Sequence, residues 1–393
     1  MTVTTTGARR RLAMLGLGLG AALGSQPACA QDSAWTLAAT YTADVAGPVS
    51  GGASQAGKFL DNLLIEGDLD LDKAVGWTGA TAHVSLLNNS GGAPNDIAGI
   101  LQGIDNIEVS RPRAKVYEAW VQQDVGAASV RAGLYDLNSE FYTTDAAGLL
   151  ISPAFGIGSE LAATGPNGPS IFPSTALALR FRLTPSDATY VQAAVLNAHA
   201  GVIGDPDGVD TEFDDGALLI AEAGWTRRGK VAVGAWRYTK RQDDILDLDA
   251  VGDPVQRTAA GAYLLVEQPL SGVEGDVRAV SGFLRAGVSD GDTTPFKGGA
   301  QAGLLMTQVF AGRPDSALSF GVAYGGLSDK FRQTLIAGGV SAESSESTIE
   351  LTYADKVARR LTLQPSVQYV IHPGGDRDAD PAVVLALRLS IDL

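Results

Sequence analysis

The chain closes on VVLALRLSIDL, residues 383–393, in which every second residue is apolar. In an extended strand, side chains two positions apart share one face, so this pattern predicts an aliphatic face opposite Arg388, Ser390 and Asp392. The apolar set is Val383, Leu385, Leu387, Leu389, Ile391 and Leu393. Closure of a barrel explains such a strand at the terminus, because the last strand then pairs with the first and leaves no edge. The alternative is an edge strand of a soluble sheet.

The same alternation occurs in TALALRFRL, residues 175–183, where Arg180 and Arg182 alternate with leucines and a phenylalanine. In a soluble sandwich the apolar face would cover a core. In an outer-membrane barrel it would face lipid, and the arginines would line a wet lumen. One strand does not distinguish these structures.

Further alternating segments of about ten residues follow one another from Lys58 to the C-terminus. VYEAWVQQDV, residues 116–125, sets Tyr117 and Val121 against Glu118 and Gln122. The connections alternate in length, as expected of a barrel with tight turns at one end and long loops at the other. Short joins fall at residues 76–78, 126–128, 185–187 and 227–230, and long ones at 88–113, 137–174, 198–215, 240–258 and about 328–347.

The N-terminus predicts a cleaved signal peptide at residues 1–30. Three arginines, residues 9–11, precede a short apolar run, and Ala28-Cys29-Ala30 supplies a small-residue cleavage site. Residues 31–57 are left open as a plug, a periplasmic segment or a first strand, and residues 58–393 are assigned to the barrel. Beyond the signal, no apolar run is long enough for a spanning helix.

The charge balance and the motifs exclude several function classes. A formal net charge of −15 opposes binding to nucleic acid. The three histidines, His83, His199 and His372, carry no metalloprotease or triad signature, so no enzyme is predicted. The acidic loop at residues 205–215 misses the spacing of a calcium loop, and neither a metal nor a cofactor is predicted.

Several blocks, in the same order from about Leu63 to Leu393, resemble the carbohydrate-selective porins of the OprB family. They include DLDLDKAVGWTGATAHV, VRAGLYDLNSEFY, STALALRFRLTP and LTLQPSVQYVIHPGG. The resemblance implies an all-β, transmembrane antiparallel β-barrel of 16 strands with long loops, some folded into the lumen, and passive admission of monosaccharides such as glucose. A Gly-x-x-Asp-x-Asn block is matched by Gly133, Asp136, Asn138 and the following Phe141. A second block of the family, QYV-x-x-PGG, is matched by Gln368, Tyr369, Val370, Pro373, Gly374 and Gly375.

The predicted pore lining combines polar groups with aromatic faces. Arginine forks can form paired hydrogen bonds to vicinal oxygens, and aromatic rings can contact the C–H face of a sugar. The candidates are Glu118, Arg131, Asp136, Asn138, Arg180, Arg182, Tyr190, Gln192, Glu222 and Trp236.

The sequence therefore predicts a carbohydrate porin of a Gram-negative outer membrane. The alternatives are a general or organic-acid porin, a structural outer-membrane protein and a soluble exported β protein. The expected partners are permeating sugars, outer-membrane lipid, lipopolysaccharide and further copies in a homo-oligomer, but not nucleic acid.

Overall fold

The computed structural model describes residues 33–202, 205, 208–273 and 275–393, so the predicted signal peptide lies outside the described residues. In these residues, sixteen strands form one closed barrel of antiparallel neighbours, which confirms the predicted fold class. The barrel strands are β1 (Trp35–Ser50), β2 (Lys58–Asp70), β3 (Ala80–Gly91), β4 (Ala114–Val125), β5 (Ala128–Tyr135), β6 (Ala176–Ser186), β7 (Thr189–Asn197), β8 (Ala217–Trp225), β9 (Lys230–Tyr238), β12 (Ala260–Ser271), β13 (Ala279–Ser289), β14 (Phe296–Thr307), β15 (Ala317–Leu327), β16 (Ser345–Ala358), β17 (Leu361–Ile371) and β18 (Ala382–Asp392). A separate hairpin, β10 (Gln242–Leu248) and β11 (Pro254–Arg257), lies in the connection between β9 and β12.

The barrel closes where β1 pairs with β18, for example at Tyr41 with Ile391 and Asp44 with Arg388. On its other side β1 pairs with β2. This corrects the domain boundary, because the segment 31–57 contains β1 and the barrel begins at Trp35 instead of Lys58. The prediction of a plug or periplasmic segment there is wrong, and the first-strand alternative is the one that the pairing supports.

The five longest connections, residues 92–113, 136–175, 198–216, 239–259 and 328–344, lie at one end of the barrel, and the tightest turns, residues 126–127, 187–188 and 359–360, lie at the other. One short connection differs from the prediction, since β2 stops at Asp70 and α1 (Leu71–Val75) follows. The Asp70 side chain accepts a hydrogen bond from the Lys73 backbone N–H and so caps α1.

The long connections contain α2 (Pro94–Ala98), α3 (Ser159–Ala162) and α4 (Asp329–Ala337). Short 3-10 turns occur at Leu137–Ser139, Asp145–Ala147, Pro153–Phe155 and Pro373–Gly375. Within the described ranges, no helix has the length and apolar character needed to cross a membrane.

Two long connections fold into the lumen, as the resemblance implied. We call residues 92–113, between β3 and β4, the first infolded segment, and residues 136–175, between β5 and β6, the second. Both bury apolar side chains completely inside the barrel, including Ile104 in the first and Phe141 and Ile151 in the second. The lumen is therefore partly filled by the chain itself.

Candidate solute passage

Strand β6 shows how the two faces of the wall are used. Leu179 and Phe181 point outward and are 54% and 47% exposed, whereas Arg180 is 1% exposed in the lumen. Arg182 also faces inward, where its guanidinium stacks 4.6 Å from the centre of the Tyr190 ring. Its Nη1 donates to Gln192 Oε1 at 3.0 Å. The predicted assignment of the faces is therefore confirmed in geometry.

Arg180 holds the second infolded segment through a carboxylate that the sequence analysis missed. Its Nε donates to Glu140 Oε2 at 2.7 Å and its Nη2 to Glu140 Oε1 at 3.0 Å. The Tyr135 hydroxyl also donates to Glu140 Oε2, at 2.6 Å. Arg131 lies 3.7 Å over the Trp120 ring and 3.7 Å from Glu140 Oε1. Two neighbouring cations are thus compensated by one loop carboxylate.

The second infolded segment begins at the Gly-x-x-Asp-x-Asn block. Gly133 has φ +139°, and a Cβ there would lie 2.2 Å from the Ala119 carbonyl oxygen, so the close approach of β4 and β5 requires glycine. The Tyr117 hydroxyl donates to Asp136 Oδ2 at 2.5 Å, and the Asp136 N–H donates to Glu118 Oε1 at 3.0 Å. Asn138 Nδ2 donates to the Phe141 carbonyl at 3.1 Å.

Tyr117 corrects the predicted alternation of β4. The pairing of β3 with β4 shifts by one residue between Ser85 and Leu86, where Glu118 and Val116 are the partners. Such a bulge places two consecutive residues opposite one, so Tyr117 is buried beside Asp136 instead of facing outward.

Glu222 on β8 receives four hydrogen bonds inside the lumen. The Tyr142 backbone N–H donates to Oε2 at 3.0 Å, and the Tyr263 hydroxyl donates to the same oxygen at 2.8 Å. The Tyr190 hydroxyl and Gln192 Nε2 donate to Oε1 at 2.6 Å and 3.2 Å. Glu222 therefore ties the second infolded segment to three strands of the wall.

The two aromatic rings that were predicted to contact a sugar, Tyr190 and Trp236, are buried. Tyr190 and Trp236 are 4% and 3% exposed. The Tyr190 ring fills the space above Gly224, and the Trp236 ring fills the space above Gly261, where a Cβ would lie 2.3 Å and 2.5 Å from ring atoms. These rings pack on glycines of the neighbouring strands and support the infolded segment.

The far wall receives the second infolded segment at two places. Glu350 on β16 accepts from the backbone N–H groups of Ile151 at 2.8 Å and Ser152 at 2.9 Å. Arg285 on β13 donates to the backbone carbonyls of Phe155 at 2.5 Å and Gly156 at 2.8 Å. The segment thus crosses the lumen from β5 to β13 and β16.

The QYV-x-x-PGG block, residues 368–375, contributes hydrogen bonds that fix the first infolded segment to the wall. Gln368 Nε2 donates to the Ile104 carbonyl at 2.8 Å, and the Gly374 N–H donates to Glu346 Oε2 at 2.8 Å. The same carboxylate accepts from the N–H groups of Leu101 and Gln102 at 2.9 Å and 2.8 Å. Both family-like blocks therefore position the segments that narrow the lumen.

The structure brings the ten predicted residues together in the lumen, but most of them are not open to a solute. Glu118, Asn138 and Arg182 keep partial exposure. The buried members are Arg131, Asp136, Arg180, Tyr190, Gln192, Glu222 and Trp236. That any of these ten residues contacts a permeating solute stays a prediction. Glu140, Tyr263 and Glu350 also face the lumen but were not among the residues predicted from the sequence. The alternation of β12 and β16 could have assigned the last two to the lumen face.

A closed sixteen-stranded barrel with segments folded across its lumen has the architecture of an outer-membrane porin. The family model described as "Carbohydrate-selective porin, OprB family" matches residues 54–393. The chain belongs to this family and is a carbohydrate-selective porin of the outer membrane.

Comparison with individual proteins gives the same fold. The chain is 23% identical to Porin B of Pseudomonas aeruginosa, over 95% of this chain and 94% of that protein. It is similar to the high-pH structure of Pseudomonas putida OprB, with a TM-score of 0.82, 23% identity and coverage of 93% of this chain and 95% of that one. The outer-membrane channel DcaP of Acinetobacter baumannii has a TM-score of 0.56 at 10% identity, over 91% and 97% of the two chains.

Proposed function

We propose that monosaccharides of the size of glucose diffuse passively along the wall formed by β1, β2 and β4. The observation that supports this route is the partial exposure of lumen-facing side chains on β1, β2 and β4. Most inward side chains on β16 to β18 are buried, as are Ser85, Leu87 and Asn89 on β3, which lies between β2 and β4. By their register with Asp44 and Glu118, the partly exposed inward residues are Thr40, Asn62, Leu64, Glu66 and Lys115.

The chemistry of this wall suits a hydroxylated solute. Asn62 offers an amide, Glu66 a carboxylate and Lys115 an ammonium group, which together supply donors and acceptors. In the described part of the chain, Asn62 Oδ1 has no hydrogen-bond partner. That oxygen is itself buried, so a sugar hydroxyl exchanges its hydrogen bond with the partly exposed remainder of the Asn62 amide. The sugar can then leave, because a single hydrogen bond exchanged with water contributes little net free energy.

Charge compensation in the lumen favours a neutral solute over an organic acid. Arg180 is paired with Glu140, and Arg388 is paired with Asp44. Arg285 donates to backbone carbonyls of the second infolded segment. A lumen whose arginines are already engaged offers little attraction to an anion. Diffusion requires no reacting group, so the proposal includes no catalytic step.

The proposal predicts faster liposome swelling with glucose than with a disaccharide, together with partial block of the single-channel current by glucose. Asn62→Ala should weaken the glucose block about two- to tenfold, as expected for one lost hydrogen bond. Asn88→Ala is the matched control, since Asn88 lies on the outward face of β3, next to lumen-facing Asn89.

Equal swelling with size-matched non-sugars would reject sugar selectivity in favour of a general porin. Liposomes that remain sealed would instead favour a structural protein. If Asn62→Ala and Asn88→Ala change the block equally, the proposed route along β2 is wrong. The homo-oligomeric state stays a prediction, and native mass spectrometry would measure it.

A further inference from the structure

The outer wall of the barrel carries a groove across β6 to β9 that the transport route does not use. It encloses about 450 Å³, and its floor is a row of alanines paired across neighbouring strands, Ala193 with Ala221 and Ala221 with Ala235. Larger apolar side chains form its sides, among them Phe181, Val195 and Leu219. At the same level, Phe181 of β6 flanks Ala193, while Ala262 of β12 continues the alanine row beyond Ala235. The missing side-chain volume along this row leaves a depression beside the hydrocarbon.

One end of this groove is charged. Arg237 lines it and is the second-last residue of β9, at the end of the barrel that carries the long connections. Its side chain faces outward and is exposed. Within the described ranges Arg237 has no ion pair, and a second exposed arginine, Arg241, follows in the connection after β9. A basic side chain near the end of a spanning strand extends its charged group toward the headgroup layer, where a phosphate can pair with it.

We propose that the groove binds one acyl chain of a phosphorylated glycolipid of the outer leaflet, the lipid A part of lipopolysaccharide, with a phosphate at Arg237. In porins the long connections are extracellular, so the charged end of the groove lies at the headgroup level of the outer leaflet. The alanine floor lies deeper in the membrane than Arg237, since Ala235 precedes Arg237 by two residues on β9, and Ala221 and Ala193 lie in the middle of β8 and β7. Charge complementarity selects this occupant, because an acylated phosphate supplies an anion at the rim and a hydrocarbon chain for the groove. Arginine's planar fork matches phosphate bidentately.

Native mass spectrometry of the detergent-solubilised mature protein, titrated with bis-phosphorylated lipid A, tests this inference. The wild type should retain one lipid A. Arg237→Gln should weaken retention about tenfold through loss of a charge-assisted contact, and Ala221→Leu should abolish it by filling the groove. Arg228→Gln, in the short connection at the opposite end of the same strands, and Ala302→Leu, on the outward face of β14, should leave retention unchanged.

Heat-modifiable migration on gels verifies that each variant is folded before lipid binding is compared. Retention of phosphatidylglycerol as strong as that of lipid A would overturn the inference, as would equal retention by Arg237→Gln and wild type. A wild-type dimer that Ala221→Leu dissociates would assign the groove to a second copy instead. Glucose permeation in liposomes should be unchanged by Arg237→Gln, so failure of this inference is distinguishable from failure of the proposed transport route.

Discussion

At the scale of single residues, Glu222 is the group whose replacement should most directly loosen the second infolded segment. Its two oxygens accept four hydrogen bonds, including one from the Tyr142 backbone N–H. Glu222→Gln replaces one acceptor by a donor, which should destabilise this attachment by about 1–3 kcal/mol. We expect a larger and noisier single-channel conductance. Glu212→Gln, in an exposed loop, is the control and should leave the current unchanged.

The sequence predicted which face of the barrel wall each side chain takes better than it predicted the residues that the side chain contacts. The period of two was enough to place Arg180 and Glu222 in the lumen, because a strand fixes which face each side chain takes. It did not show that Glu140 neutralises Arg180, or that Tyr190 packs on Gly224. The first contact is made by a residue of the infolded segment, and the second depends on the pairing of β7 with β8, so no local pattern records either of them. For this reason the sequence predicted that Tyr190 and Trp236 are exposed to a sugar, whereas both are buried.

At the scale of elements, α4 should depend on pH through the hairpin against which it packs. Lys330 donates to Asp244, to Asp247 Oδ2 at 2.8 Å, and lies 2.8 Å from Asp292 Oδ1. Burial opposes the charge of Asp244, but the Asp247 and Leu246 N–H groups and the Lys330 ammonium together hold the pKa of Asp244 well below its usual value. A depressed carboxyl pKa stabilises the contact above the unfolded value, near about pH 4, and this stabilisation is lost as the pH falls through the folded pKa.

A nitroxide label at Gln333→Cys would report this contact. The label should be immobile from neutral pH down to about pH 4 and become mobile only at lower pH. Adding Lys330→Met should make it mobile at every pH. Lys297→Met removes the exposed pair with Asp329 and should have little effect. A label equally mobile in wild type and Lys330→Met would show that these ion pairs do not hold α4.

Among the elements, the terminal strand and the short turns were predictable, because alternation and turn residues are local signals. Three features were not. The bulge at Tyr117 breaks the alternation without any marker residue. Helix α1 replaces the predicted end of β2, and β1 was one of three alternatives for the segment 31–57. For the bulge and for β1, the pairing with a neighbouring strand decides the structure, and that information is not local. Helix α1 instead carries local signals, the N-cap Asp70 and the C-cap Gly76, which the alternation of the preceding residues masked.

At the scale of the whole molecule, closure of the barrel depends on a seam between residues more than three hundred positions apart. Arg388 on β18 donates through Nε and Nη2 to the Asp44 carboxylate on β1, with the shortest distance 2.6 Å. Arg388 Nη2 also donates to Asn106 Oδ1 of the first infolded segment at 2.7 Å. The same guanidinium therefore joins the seam to the segment that narrows the lumen.

The seam should fail most when only one partner of this buried pair is removed. Asp44→Ala leaves the Arg388 charge buried without its main partner, which should cost roughly 3–5 kcal/mol of stability. Asp105 is a second buried carboxylate, 3.5 Å from Arg388. A variant that combines Asp44→Ala with Arg388→Met and Asp105→Asn removes all three buried charges, so it should be more stable than Asp44→Ala alone. The temperature at which the folded band disappears from gels in detergent measures both. Asp392 also lies on β18, opposite Thr40 of β1, but among the described residues its side chain pairs only with Lys356 of β16 near the surface. Asp392→Ala should therefore change that temperature little. If Asp44→Ala lowers that temperature as little as Asp392→Ala does, backbone pairing alone holds β1 to β18 and the buried pair does not secure the closure.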